Sequence, residues 1–470
     1  MRRDILLPAT LRFLAVVAAL APASAFPDPP AGTASRPRLA IIAPAAWIPA
    51  LAPLVEVRKR TLDVETPALE DVLASTEGAD APERIKRFLW RAWKERGLRY
   101  ALLVGDADTF PVRFMVLDRV TEPAFDTAFY GCDLYYADVA KADGSFDDWN
   151  AAHDGFHARY FGEVNGEKHK DPPMNLDQIS YVPEVAVGRF PVSTLDDLSA
   201  LVAKTVAWEA RASADSAPHP RRALWLHTDG WVDARAPLTA ASDGLAKAGW
   251  TVTRQFFGAI PAGESKSLGP PTPEGVLSAL TSGAELVVHA GHGCEAGWPG
   301  CVGDGQCAAL ASASSAIYVS AGCGTAVFVT QAPYEAYLDA DGAVHKGTND
   351  GEVFRAPPPP PAPLQPGRFN ASSFGERSVR LKTGGAIAYI GCDTGSQPCA
   401  LTVIEGFAQS LSRDARTPRR LGDAWNAAVA HYHEAEHLST LRATADWYPA
   451  SIFFQAMKFV VLGDPSLPVP

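Results

Sequence analysis

The sequence predicts an α/β fold built on a mostly parallel sheet. Two observations predict it: short continuous apolar runs recur along the chain, and amphipathic helical patterns lie between them. Continuous apolar strands suit a sheet covered by helices on both faces, because both sides of each strand are buried. The pattern comes in two series, which predicts consecutive α/β subdomains at 38–213 and 221–470.

In the first series, residues 39–42 (LAII) form an apolar run between Pro37 and Pro44 and read as a buried strand. Residues 82–96 carry Ile85, Phe88, Leu89 and Ala92 at helical spacing, with Arg and Lys between them. Residues 100–104 (YALLV) read as the next strand, ending in Gly105-Asp106-Ala107-Asp108. The stretch 126–171 is acidic and aromatic, with Asp133, Tyr135, Tyr136, Asp138, Asp143, Asp147, Asp148 and Asp154. Its carboxylates suit a structural calcium ion. A solvated acidic loop is the alternative, since EF-hand spacing is absent. Residues 185–189 close the unit, and a helix runs on to about 213.

The second series has apolar runs at 223–226 (ALWL), 285–288 (ELVV), 316–319 (AIYV) and 385–390. Helical patterns cover 238–248, 273–281 and 421–436. The proline run within 356–366 reads as a polyproline-like surface excursion.

Composition bounds the partners. The 470 residues are 47% hydrophobic and 20% charged, with 42 Lys+Arg against 53 Asp+Glu and a formal charge of -11. Nucleic acid and anionic membranes need a basic footprint, so neither is an expected partner. Arg2 and Arg3 precede an apolar stretch at 13–21, and Ala23-Ser24-Ala25 offers small residues for a signal peptidase. The expectation is a signal peptide at 1–25, a flexible leader at 26–37, and a secreted or periplasmic mature chain with no membrane span. In an oxidising compartment some of the seven cysteines should pair, with Cys301–Cys307 and Cys392–Cys399 close enough in sequence to do so. An odd count leaves at least one thiol free.

Chemistry is sought where parallel strands end, since ligands bind outside their carboxyl ends. The run at 223–226 ends in His227-Thr228-Asp229, that at 285–288 in His289-Ala290-Gly291-His292-Gly293, and that at 316–319 in Ser320-Ala321-Gly322-Cys323-Gly324. A carboxylate, an imidazole and a thiol thus leave one edge of one sheet. This is the constellation for attack by a thiolate on an acyl carbon. Gly322 and Gly324 leave room for a substrate backbone, and the amides of Gly293 and Cys323 are candidates for an oxyanion hole.

Further motifs accompany these ends. His292-Gly293-Cys294-Glu295-Ala296-Gly297-Trp298 follows one apolar strand, and Cys323 ends another, with Phe328 five residues on. Ser373-Phe374-Gly375-Glu376, Gly384-Gly385-Ala386, Ile387-Ala388-Tyr389-Ile390-Gly391 and Leu462-Gly463-Asp464-Pro465-Ser466-Leu467 complete the set. With these residues the chain resembles the gingipain family of secreted cysteine peptidases, relatives of the caspases and legumains, over roughly 36–470. The resemblance implies a caspase-like three-layer α/β/α sandwich and an endopeptidase acting on protein or peptide substrates without a required cofactor. It implies Cys323 as nucleophile, His292 as acid/base, Asp229 orienting the imidazole, and Glu295 and Trp298 near the substrate pocket. Members that cut after Arg or Lys carry an acidic residue near the following helix. Asp233 is the nearest candidate here, while Asp243 falls too deep, so a basic P1 preference is an expectation. Cys294 stands where the family has serine.

Two rivals remain at this point. His433-Glu434-Ala435-Glu436-His437 fits HExxH, which on a helix places two histidines one turn apart for zinc. No His or Glu follows it, which leaves Asp446 or Asp464 as third ligand. The other rival is a non-catalytic exported binding protein in which Cys323 is blocked by a disulfide with Cys294.

Overall fold

A computed structural model describes residues 36–470 apart from 118–127, 154–156, 159–162, 165–166, 169–174, 176, 213–220, 259–267, 357, 366–372, 414–418, 443–451 and 454. The expected signal peptide and leader therefore lie outside the described residues.

Ten strands form one sheet: β1 (Arg38–Ile42), β2 (Asp63–Glu65), β3 (Leu98–Val104), β4 (Ala186–Phe190), β5 (Arg222–His227), β6 (Thr251–Phe256), β7 (Leu286–Ala290), β8 (Ala316–Ser320), β9 (Ala386–Cys392) and β10 (Phe459–Leu462). Their spatial order is β6-β5-β7-β8-β9-β10-β4-β3-β1-β2. Every pairing is parallel except β9 with β10. The first series supplies one half of the sheet and the second the other. The last strand, β10, is inserted between β9 and β4 and joins them.

Helices cover both faces, as the apolar strands require. They are α1 (Ala52–Arg58), α2 (Leu69–Ser75), α3 (Ala81–Arg96), α4 (Leu195–Ala212), α5 (Arg235–Lys247), α6 (Pro273–Thr281), α7 (Cys307–Ser312), α8 (Phe374–Arg380), α9 (Ala400–Ser412) and α10 (Leu421–Ala435). Strand alternation divides the core into two layers. Ala40 and Ile42 of β1 share one with Leu89 of α3, Leu238 of α5, Phe407 of α9 and Trp425 of α10. Leu39 and Ile41 share the other with Leu54 of α1, Leu201 of α4, Leu280 of α6 and Phe374 of α8. The architecture is the expected α/β/α sandwich.

Local signals explain the helix ends. Asp80 accepts from the Glu83 amide at 3.0 Å to cap α3, Pro82 sits in its first turn, and Gly97 ends it at φ +67°. Thr272 caps α6 in the same way, on the Gly275 amide at 3.1 Å.

Four expectations change. Strand β6 was not foreseen, because it lies at the sheet edge and its first three residues are exposed or only half-buried, which thins the apolar signal. The proline segment is packed rather than a surface excursion: Pro358 and Pro361 are buried, and the Ala340 amide donates to Pro360 O and the Ala362 amide to Leu338 O, at 2.9 and 2.8 Å. All seven cysteines are free thiols, so neither expected pair nor a Cys294–Cys323 disulfide is present. The acidic stretch is folded into the core. Asp133 takes a two-pronged ion pair from buried Arg189 at 2.8 and 2.7 Å, and Asp138 accepts from the Ser180 hydroxyl and the Tyr181 amide. Beside Asp138 and Asp147 lies the ammonium of buried Lys86, 4.6 Å from the ring centres of Tyr135 and Trp149. The carboxylates considered for calcium are thus largely engaged by protein groups, and Asp154 lies outside the described residues. Among the described residues no helix is long and apolar enough to cross a membrane.

Candidate active site

Strands β7 and β8 are parallel neighbours, paired from Leu286↔Ile317 to His289↔Ser320. Their carboxyl ends therefore release two loops side by side, one carrying His292 and the other Cys323. The loops are pressed together. A Cβ on Gly293 would sit 2.8 Å from Gly322 Cα, 2.9 Å from Cys323 O and 2.4 Å from the Thr325 methyl. No residue larger than glycine fits there without moving the cysteine loop. The His292 ring is exposed and Cys323 is half-buried.

Beneath them the loops are anchored by two buried histidines. His227, at the end of β5, accepts from the Ala234 amide at Nε2 (2.9 Å), so its Nδ1 carries the proton donated to Ala290 O at 2.8 Å. His289 stacks on Trp298 with ring centres 4.7 Å apart and is bonded through Nδ1 to the Ser320 hydroxyl at 3.0 Å. Ser320 Oγ in turn accepts from the Gly322 amide at 3.1 Å, one residue before the nucleophile candidate. Burial, with His227 nearby, pushes the His289 imidazole down to about 3, so it is neutral in the folded protein.

That shift has a pH signature. Below the ordinary histidine value of about 6.5 the unfolded chain takes up a proton that the folded chain refuses, so stability falls with pH down to about 3. Measured against His289→Gln, the native protein should lose about 3 kcal/mol of relative unfolding free energy between pH 7 and pH 4. A gap that stays constant across that range in urea titrations contradicts this assignment.

The imidazole of His292 is oriented differently from the sequence expectation. Its Nε2 lies 2.6 Å from the carbonyl oxygen of Gly230, and Asp229 accepts instead from the Gly230 amide at 2.8 Å. A carbonyl only accepts, so Nε2 carries the proton and Nδ1 is the nitrogen able to take one up. Gly230 (φ +91°) lies directly against the ring: a Cβ there would meet His292 Cδ2 at 3.5 Å. Sequence reasoning missed Gly230 because its contribution is a backbone oxygen; the Asp229-Gly230 turn after β5 is the only available signal.

The other expected residues divide. Trp298 is 2% exposed, with its indole N–H bonded to Tyr389 Oη at 2.9 Å, so it is a buried support under the loops and offers no face to a substrate. Glu295 is exposed, and its carboxylate approaches the cysteine loop, 3.4 Å from where a Gly324 Cβ would lie. Asp233 is paired with Arg235 at 2.7 Å, which holds its carboxyl down at about 2. Asp243 is paired with Arg254. The amides of Gly293 and Cys323 have no protein acceptor among the described residues, as oxyanion donors require. The Cys323 sulfur accepts from the Ser396 amide at 3.3 Å, a donor to which no sequence motif points.

The HExxH segment loses its helical premise. Helix α10 ends at Ala435, and His437 is left-handed at φ +54°, so His433 and His437 are not one helical turn apart. Asp464, one candidate third ligand, is buried against Arg58, and Asp446 lies outside the described residues.

The model of Peptidase family C25 matches residues 33–470. The chain belongs to peptidase family C25, the gingipain family. It is accordingly a cysteine-type peptidase. Its fold is similar to that of the Arg specific cysteine proteinase gingipain R, at 16% identity and a TM-score of 0.58 over 92% of this chain and 78% of that one. A complex of Porphyromonas gingivalis RgpB pro- and mature domains is similar at 16% identity and a TM-score of 0.56, over 92% and 79%. No curated protein matches the sequence. In this family C25 peptidase, the paired loops after β7 and β8 bring His292 and Cys323 to one end of the sheet.

Proposed function

We propose that this family C25 chain is an exported endopeptidase in which Cys323 attacks the scissile carbonyl and His292 moves the proton. One observation carries the reading: the loops after the neighbouring strands β7 and β8 meet at Gly293 and Gly322, at the end where His292 and Cys323 project. In this mechanism His292, held by the Gly230 carbonyl, takes the thiol proton on Nδ1. The thiolate adds to the carbonyl carbon, and the amides of Gly293 and Cys323 hold the resulting oxyanion. His292 then gives the proton to the leaving amine, and water attacks the acyl-enzyme by the same route. No metal enters the sequence of steps.

A basic P1 residue remains the proposed preference, but with different carboxylates. Asp233 is already neutralised by Arg235, whereas Asp229 and Glu295 are exposed beside the two loops and form no ion pair among the described residues. Protein and peptide substrates are the proposed partners, and export rests on the signal-like segment at 1–25.

The test is a peptide library varied at P1, incubated with the mature protein in three arms. Cleavage should favour Arg or Lys, vanish after iodoacetamide treatment, and persist with a zinc chelator. Cleavage that survives alkylation and stops with the chelator refutes the thiol mechanism.

A further inference from the structure

Behind the cysteine loop lies a cation that the proposed mechanism does not use. Lys458 immediately precedes β10 and is 5% exposed. Its ammonium donates to the carbonyl oxygen of Gly395 at 3.1 Å. The same peptide unit carries the Ser396 N–H, which donates to the Cys323 sulfur at 3.3 Å. One planar peptide therefore has a cation on its oxygen and a thiol sulfur on its hydrogen. A cation at the oxygen polarises the peptide and strengthens its N–H as a donor, so the two bonds reinforce each other.

The peptide is held in this orientation from several sides. The Gly324 amide donates to Thr394 O at 2.9 Å, and the Gln397 amide donates to Gln455 Oε1 at 2.8 Å. Gln455 Nε2 reaches Ser396 Oγ at 3.3 Å and the Cys392 sulfur at 3.4 Å. Gln455 and Lys458 open and close one short 3₁₀ turn, where side chains three residues apart fall on the same side.

Lys458 has no carboxylate partner among the described residues. Burial pushes its ammonium down, and the groups that pull it back up are the thiols of Cys392, Cys399 and Cys323. Burial pushes the Cys392 thiol up to about 12 and the Cys399 thiol up to about 11, which keeps both protonated near neutral pH. Of the three, only Cys323 has a peptide N–H polarised by Lys458 on its sulfur. A buried cation without a counter-ion is costly, and the peptide that the ammonium polarises faces the Cys323 sulfur.

We infer that Lys458 is a positioning residue for the nucleophile, stabilising the Cys323 thiolate through the Gly395–Ser396 peptide. The inference rests on the reading of Cys323 as nucleophile and deepens it, because it supplies part of the thiolate's stabilisation independently of His292.

The test follows iodoacetamide alkylation of Cys323 by mass spectrometry of its peptide, in the wild type and in Lys458→Met, with thermal unfolding run alongside. At pH 7 the variant should be alkylated about tenfold more slowly. At pH 10, where thiols ionise without help, the two rates should agree within about twofold. Lys458→Arg, which keeps the charge, should restore most of the rate at pH 7. Equal rates at pH 7, or a loss of the same size at both pH values, overturn the inference. If neither variant folds, the wild type still decides: alkylation of Cys323 at pH 7 no faster than that of free cysteine also overturns it. Failure of the underlying reading looks different. In that case Cys323→Ala still cleaves peptides whatever the alkylation rates show.

Discussion

Cys323→Ala should lower peptide-bond hydrolysis by about 10⁴-fold or more, to the level of the buffer control. The size follows from the chemistry. Covalent attack needs a nucleophile at this one position, and Cys294 on the facing loop cannot replace it: its sulfur is turned to Gly297 O, 3.8 Å away. The fold should survive, because the Cys323 side chain is half-buried and its sulfur bonds only the amide and carbonyl of Ser396 among the described residues. Circular dichroism and thermal unfolding should therefore match the wild type while activity is gone. Cleavage above a few per cent of the wild-type rate by a folded variant would remove Cys323 from the mechanism.

The second large effect concerns stability. Arg58→Met should cost about 3–5 kcal/mol of unfolding free energy, read from the midpoint of urea denaturation. Arg58 closes α1 and is fully buried, with Nε and Nη2 on Asp464 Oδ2 at 2.9 and 2.7 Å and Nη1 on Glu209 of α4 at 2.5 Å. Removing the guanidinium strands two carboxylates in a place with little water. Asp464 follows β10, and its other oxygen accepts from the amide and hydroxyl of Ser466. The network thus ties α1 and α4 to the strand that joins the two halves of the sheet. Arg58→Met combined with Asp464→Asn, which removes one of the two stranded charges and keeps an acceptor for Ser466, should recover part of the loss while Glu209 stays unpaired. A single variant as stable as the wild type would show that the pair is solvated in solution.

Much of this molecule is legible in its sequence. The runs at 39–42, 223–226 and 316–319 became strands β1, β5 and β8 with shifts of one residue or so, because a strand buried on both faces is apolar throughout. Helix α6 spans the expected residues, since Thr272 and Pro273 mark its start. His292 and Cys323 could be picked out because each follows such a strand. Asp229 was chosen by the same rule and is in the expected place, but the bond to His292 comes from the next residue's carbonyl. Side-chain chemistry suggested the partner, and backbone geometry supplied another. Trp298 shows a related limit. A tryptophan six residues after His292 reads equally well as pocket wall or as core, and here stacking on His289 places it in the core.

The local pattern by itself determined which segments are strands and helices, and that an imidazole and a thiol leave strand ends, because apolar periodicity and capping act over a few residues. Only the tertiary structure decided that β7 and β8 lie side by side, that β10 enters between the two halves, and that Gly230 O meets His292, Ser396 N–H meets Cys323 and Lys458 backs that same peptide. Strand order is settled by packing across the whole molecule. Every residue carries the same carbonyl and amide, so which of them faces His292 or Cys323 is a property of the folded chain alone.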